Sequence, residues 1–154
     1  KKMSELKENN KLSGRRENRI AAMQFIYMTQ LNKGDTLERS LEDFFETKEK
    51  PREFYGFAEE LIAGYNAHSS EVDAAIEKSA TNWSMDRMAK VDLAILRLAV
   101  FELLFRTDIP PVVSINEAID LAKEFSSGES RRFINGVLDK VKSTLTRPLR
   151  SAGK

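Results

Sequence analysis

The sequence predicts an all-α protein of about seven helices. No segment alternates apolar and polar residues for long enough to form a half-buried strand, whereas apolar residues recur at spacings of three and four along most of the 154 residues. Ala89–Arg106 is apolar around its whole circumference, which is typical of a helix buried at the centre of a bundle. Charged residues interrupt this stretch, so we do not expect it to span a membrane.

The N-terminal half contains four predicted helices. Residues 1–14 are polar and basic, and we expect them to be disordered. Apolar stripes with helical spacing then cover residues 15–32, 35–47, 51–68 and 70–80. Asp35 with Glu38 has the spacing of a capping box, and Pro51 suits a first helical position. Trp83 lies in the break that follows, where we expect it to anchor the packing of neighbouring helices.

The C-terminal half contains the central helix and two more. Pro110 and Pro111 end the central helix, because proline lacks an N–H and restricts the residue before it. Ser114 and Glu117 have capping-box spacing and predict a helix that runs to Phe125. Ser130 is the predicted N-cap of the last helix, residues 131–144, and residues 146–154 form a basic tail that we expect to be flexible.

The charge of the chain is distributed unevenly. The net charge is only +1, but residues 1–19 carry +4 and residues 131–154 carry +6, which leaves −9 for residues 20–130. Basic ends suit a polyanion, and an acidic middle suits a basic partner. A simpler interpretation is that the terminal Lys and Arg residues only keep the ends soluble.

Residues suited to catalysis are scarce. There is no cysteine, which excludes disulfides and thiolate chemistry, and the only histidine is His68 at a predicted helix end. The sequence has no glycine-rich phosphate loop and no metalloprotease motif. We therefore expect neither an enzyme nor a bound metal or cofactor. With no cysteine and no apolar leader, we expect a cytoplasmic protein.

Arginines cluster at the predicted starts of the first and last helices. The first cluster is Arg15, Arg16 and Arg19, and the second is Arg131 with Arg132. Arginine at a helix N-terminus opposes the helix dipole, a cost that approaching phosphates would offset. We therefore expect the two clusters to adjoin as a single positive patch.

The last helix combines side chains suited to nucleic acid. Arg131, Asn135 and Lys142 fall on one narrow face at 100° per residue, and their groups suit phosphate and base-edge contacts. Gly136 costs about 1 kcal/mol in mid-helix relative to alanine. We expect it to permit the close approach of a neighbouring helix.

Four segments of the chain, taken together, resemble a known family. They are Arg15–Arg19 with Ala22–Tyr27, Ile95–Leu103, Ile109–Lys123 and Ser130–Asp139. In this order they resemble the motifs of the NusB family of bacterial transcription antitermination factors, and they span most of residues 15–142. The departures are mild: Ile134 stands where valine is commoner, and Asn18 where alanine is.

The resemblance implies two packed helical subdomains, at about residues 15–80 and 84–145. It also implies binding of single-stranded boxA RNA in nascent transcripts, chiefly of ribosomal RNA operons, together with ribosomal protein NusE. The family acts in the bacterial cytoplasm, where it joins the RNA polymerase elongation complex through other Nus factors. The NusE contact would fall around the central helix.

The resemblance also implies which side chains contact RNA. By matching position, Arg15, Arg16 and Arg19 would form the arginine-rich contact. Ser130, Arg131 and Asn135 lie in the second motif of that surface, with Glu129 at its edge. Together with the clusters described above, the predicted RNA-binding residues are Arg15, Arg16, Arg19, Ser130, Arg131, Arg132, Asn135 and Lys142.

Two alternatives remain open at this stage. A NusB-like domain also occurs at the front of some ribosomal RNA cytosine methyltransferases, and the chain would then be a fragment without the catalytic domain. The chain could instead be a helical protein-interaction module whose basic ends bind no RNA.

Overall fold

The computed structural model describes residues 2–32 and 34–153, with side chains from Gly14 onward. Seven α-helices and no strand occur within these residues, which confirms the all-α prediction. Short 3-10 helices at Arg52–Tyr55 and Met85–Arg87 precede the third and fifth α-helices. The helices are α1 (Lys2–Leu31), α2 (Leu37–Glu46), α3 (Gly56–Ala67), α4 (Ser69–Ser79), α5 (Lys90–Phe105), α6 (Pro111–Phe125) and α7 (Gly128–Ser143).

The central helix α5 organises the bundle. Eleven of its 16 residues are buried, and it packs against α1, α3, α4, α6 and α7. Each fully buried Leu or Ile side chain contributes about 1.5–3 kcal/mol to folding, so this helix supplies much of the apolar core. The prediction of a rod that is buried all round is confirmed.

Two groups of helices pack against α5. Helices α1 and α3 contact each other and α5, and α6 and α7 do the same. Helix α4 contacts both α5 and α7, so it lies beside both groups. One apolar cluster runs through all these helices. The division into subdomains at about 15–80 and 84–145 stays a prediction.

The N-terminus differs from the sequence prediction. Helix α1 begins at Lys2, so the disorder expected for residues 1–14 is wrong for residues 2–14, and Lys1 lies outside the described residues. Leu, Lys, Glu and Met in this segment are good helix formers, and a single glycine costs a helix only about 1 kcal/mol. Ser13 and Gly14 therefore do not interrupt the helix.

Three predicted helix caps are wrong. Helix α2 is capped by Thr36, whose side-chain oxygen accepts a hydrogen bond from the N–H of Arg39, and not by Asp35. Helix α6 begins at Pro111, three residues before Ser114, because proline is well suited to the first helical position. Helix α7 is capped by Ser127, whose side-chain oxygen accepts a hydrogen bond from the N–H of Ser130. Ser114 and Ser130 instead lie inside their helices and bond carboxylates of α5.

The described part of the C-terminal tail packs back on the bundle, in contrast to the flexible tail expected for residues 146–154, of which Lys154 lies outside the described residues. The guanidinium of Arg147 donates to the carbonyls of Leu103 and Ile109, each at 2.9 Å. The N–H of Val112 donates to the carbonyl of Leu149 at 3.0 Å. The last carbonyls of a helix have no partner within it, and Arg147 satisfies one at the end of α5.

Candidate nucleic-acid interface

A groove between α6 and α7 brings together several of the predicted residues. It encloses about 990 Å³ and is open to solvent. Arg131, Arg132 and Asn135 line it from α7, and Asn116, Asp120 and Lys123 line it from α6, with Ile115 and Ile119 at its apolar base and Gly128 and Glu129 at its end. The groove therefore combines three cations and two amides with two carboxylates and two apolar side chains.

The first turn of α7 is held in place by a buried carboxylate. Asp92, at the start of α5, is 4% exposed and accepts hydrogen bonds from the hydroxyls of Ser126 and Ser130, the latter at 2.6 Å. Ser127 caps the same turn. Ser130 therefore orients the helix that carries Arg131, and its hydroxyl is hydrogen-bonded to Asp92 of α5.

Arg131 and Arg132 are exposed, and their charges are not neutralised locally. Within residues 14–32 and 34–153, no carboxylate oxygen lies within 4.0 Å of a charged nitrogen of either arginine. They project from the first turn of α7, where unpaired N–H groups and the positive end of the helix dipole also face outward. This combination suits a phosphate group.

Arg16 borders the same groove through α6. Its Nη2 lies 2.8 Å from Oδ2 of Asp120, a residue that lines the groove, and its Nε and Nη2 donate to both oxygens of Glu117. The hydrogen bond and the charge of Glu117 raise the pKa of the Arg16 guanidinium. Arg16 therefore neutralises carboxylates at the edge of the groove.

Arg15 and Arg19 point away from this groove, which corrects the prediction that the whole cluster forms one patch. The guanidinium of Arg15 lies 4.5 Å from the ring centroid of Phe57 in α3. Arg19 is only 3% exposed and forms an ion pair with Glu102 of α5. Side chains four positions apart lie on the same face of a helix, and the guanidinium of Arg19 lies 5.2 Å from the ring centroid of the same Phe57. Only Arg16 faces α6. Arg19 is not available to RNA.

Lys142 does not line the groove either. It lies two turns beyond Asn135 on α7, about 10 Å at 1.5 Å per residue, and its Nζ is 3.4 Å from Asp139. Of the three residues predicted to share one face of α7, Arg131 and Asn135 line the groove and Lys142 lies beyond its end.

Sequence reasoning missed the contribution of α6. Asn116, Asp120 and Lys123 recur at spacings of four and three, so they share one face of that helix. This spacing was visible in the sequence as a polar face of the Ile109–Lys123 motif. Only its packing against α7 makes that face part of a groove.

His68 and Trp83 have different surroundings. The ring of His68 stacks on Phe105 with centroids 4.0 Å apart, and its Nδ1 lies 2.9 Å from a carboxylate oxygen of Glu71. Trp83 is 54% exposed and meets the ring of Phe133 edge-on, so it is less buried than an anchor of the core would be.

Neither metal-binding clusters nor membrane spans occur in the part of the chain that the structure describes. No group of three His, Asp or Glu side chains there is arranged to hold a metal ion. No helix among the same residues has the length and apolarity required to cross a membrane.

Comparison with known proteins identifies the family. The model of the NusB family matches residues 16–143. Over 142 residues the chain is 44% identical to the transcription antitermination protein NusB of Geobacter sp. (strain M21), covering 88% of this chain and 98% of that protein. The solved structure of T. maritima NusB is similar with a TM-score of 0.76 and 34% identity, covering 86% of this chain and 93% of that one.

A second solved structure, of the antitermination factors NusB and NusE in complex with dsRNA, has a TM-score of 0.76 and 28% identity. It covers 86% of this chain and 98% of that chain. The shared helical architecture, the family match over residues 16–143 and the identity to a relative matched over nearly its full length agree. The chain belongs to the NusB family.

Proposed function

We propose that this chain is a non-catalytic transcription antitermination factor that binds boxA RNA of nascent bacterial transcripts, chiefly those of ribosomal RNA operons. The observation that carries the proposal is the α6–α7 groove, in which Arg131 and Arg132 have no carboxylate partner among the described residues. A polyanion is the ligand that two such arginines at a helix N-terminus suit best.

The groove supports a division of roles between α6 and α7. Arg131 and Arg132 hold phosphates, while the amides of Asn135 and Asn116 reach base edges. Lys123 adds positive charge on the facing helix. Arg16 acts indirectly, because by pairing with Glu117 and Asp120 it reduces their repulsion of the RNA.

Ribosomal protein NusE is the proposed protein partner. The solved structure of NusB and NusE with dsRNA supports this assignment, and the acidic balance of residues 20–130 suits a basic ribosomal protein. The NusB–NusE pair would join the RNA polymerase elongation complex through other Nus factors, in the bacterial cytoplasm.

The match to a relative that is itself named an antitermination protein favours this function over the methyltransferase alternative. The chain covers 98% of that relative. The other alternative, a protein-interaction module, differs from the proposed antitermination factor in that it has no affinity for RNA, and this can be measured.

A filter-binding assay with boxA RNA and a scrambled RNA, with and without NusE, tests the proposal. Replacing Arg131 and Arg132 by alanine should weaken boxA binding about 100-fold or more, because hydrogen bonds to charged groups contribute about 1.5–3 kcal/mol each. The control variant replaces Arg39 and Arg150, two exposed arginines that do not line the groove, and should bind normally. Equal affinity of both double variants, at unchanged helical circular dichroism, would contradict the proposal.

A further inference from the structure

A second hollow lies next to the groove, between residues 79–83 and α7. It encloses about 220 Å³. One wall is the indole of Trp83, which is 54% exposed and is backed by Phe133 at a centroid distance of 6.2 Å. Such exposure is unusual for a tryptophan that only packs, because a large aromatic ring gains most by being buried.

Gly136 lines this hollow from the middle of α7. A Cβ on Gly136 would meet no atom of the described residues within 4 Å, so none of the helices among them packs closely against it, contrary to the sequence expectation. Its φ is not positive, so the backbone does not require glycine either. Because glycine has no side chain, the backbone of α7 is exposed at this wall of the hollow, and a ligand can approach it closely.

The charges around the hollow are positive. Arg132 and Lys140 line it, and none of its lining residues carries a carboxylate. The Nζ of Lys140 lies 3.5 Å from the hydroxyl of Thr81, and no carboxylate of the described residues is within 4.0 Å of it. A cationic rim beside an exposed aromatic ring suits a nucleobase with its phosphate better than an apolar protein side chain.

The hollow and the groove have one lining residue in common. Arg132 lines both, so a strand whose phosphates contact Arg131 and Arg132 can pass from the groove into the hollow. Arg132 and Trp83 line the same hollow, so a nucleotide whose phosphate contacts Arg132 has the indole of Trp83 beside it.

We propose that this hollow is a base-stacking subsite, in which one unpaired base of the bound RNA stacks on Trp83 beside the bare backbone at Gly136. Lys140 and Arg132 hold the flanking phosphates. The subsite rests on the proposed RNA-binding function and extends the path of the RNA beyond the α6–α7 groove. Stacking tolerates any base, so the subsite adds affinity and fixes the register without reading the sequence.

Trp83 is the only tryptophan of the chain, so its intrinsic fluorescence reports on the subsite directly. Titration of the parent protein with boxA RNA should quench this fluorescence, and the same RNA with abasic nucleotides should bind with less quenching. Trp83→Ala should weaken binding about 5- to 100-fold, which is the loss expected for one stacked base, while Trp83→Phe should recover most of it.

A second variant closes the hollow without removing the aromatic ring. Gly136→Gln has open space at Cβ and a helical backbone, so the protein should fold at least as stably, while the longer side chain should weaken RNA binding about tenfold. The matched control is Ala63→Gln, an exposed position in the middle of α3.

The outcomes separate the subsite from the proposed function. Normal RNA binding by Trp83→Ala and Gly136→Gln, with binding lost in the Arg131 and Arg132 double variant, overturns the subsite alone. Absence of RNA binding by the parent protein overturns both proposals. If Trp83→Ala and Gly136→Gln lose NusE binding while their RNA affinity is unchanged, the hollow is a protein contact, which would also overturn the subsite.

Discussion

Arg19 of α1 and Glu102 of α5 form an ion pair in the interior of the bundle, with Nη2 and Oε1 2.8 Å apart. The two side chains are 3% and 2% exposed. Nε of Arg19 donates to Oε2 at 3.0 Å, and the hydroxyl of Ser114 in α6 donates to Oε1 at 2.8 Å. The carboxylate of Glu102 therefore connects α1, α5 and α6. It holds α1 beside α6, where Arg16 of α1 pairs with Glu117 of α6.

Replacing Arg19 by methionine should lower the free energy of unfolding by about 3–5 kcal/mol, because Glu102 would remain buried without its cationic partner. Combining Arg19→Met with Glu102→Gln should cost less than the single change, since the amide carries no charge and still accepts from Ser114. Urea denaturation measures both effects. Arg39→Met, at an exposed site, should change stability by less than about 0.5 kcal/mol. A similar small effect of Arg19→Met would show that the ion pair contributes little.

Two glycines should respond oppositely to alanine. A Cβ at Gly64 would overlap the ring of Phe101, which is 3% exposed in the core, so Gly64→Ala should lower the free energy of unfolding by about 1–3 kcal/mol. Gly136→Ala meets no atom within 4 Å and should stabilise by up to about 1 kcal/mol. Thermal denaturation of the two variants beside the parent gives the comparison. A stabilising Gly64→Ala would mean that α3 is free to move away from α5.

RNA affinity should fall steeply with salt. Three or four phosphate contacts on a single strand, at about −0.7 per contact, give a slope of log affinity against log salt of roughly −2 to −3. Arg131→Ala should make this slope less steep by about 0.7, whereas Arg39→Ala should leave it unchanged, because Arg39 lies outside the groove. The measurement is a filter-binding series at increasing potassium chloride. A slope close to zero would exclude binding through phosphates.

The helices were largely predictable from the sequence, whereas their exact starts were not. Apolar spacing is a local property, so α5 and its burial followed from Ala89–Arg106 alone. Helix caps were less certain, because serine can equally cap a helix or bond a buried carboxylate. Ser114 and Ser130 both have cap-like spacing, and both instead bond acidic residues of α5. The local pattern carries no information about that distant partner.

The candidate site was predictable on one helix and only partly on the other. The sequence of the last helix predicts a shared site for Arg131, Arg132 and Asn135, and these three residues do lie together in the groove. Of the first cluster only Arg16 borders it, and Asn116 and Lys123 were missed because their importance depends on how α6 packs. Trp83 and Gly136 are both distinctive in the sequence, but their shared hollow depends on the position of residues 79–83 against α7.

The sequence by itself determined which segments are helical, which helix is central and where the arginines concentrate, because periodicity and composition are written along the chain. Only the tertiary structure decided which arginines keep their charge available. Arg15, Arg16 and Arg19 lie close together on α1. Arg15 lies on the ring of Phe57, Arg16 meets surface carboxylates, and Arg19 is buried between that ring and Glu102. A guanidinium has the same charge in each place, and its neighbours across the bundle determine whether that charge is neutralised or left to bind a phosphate.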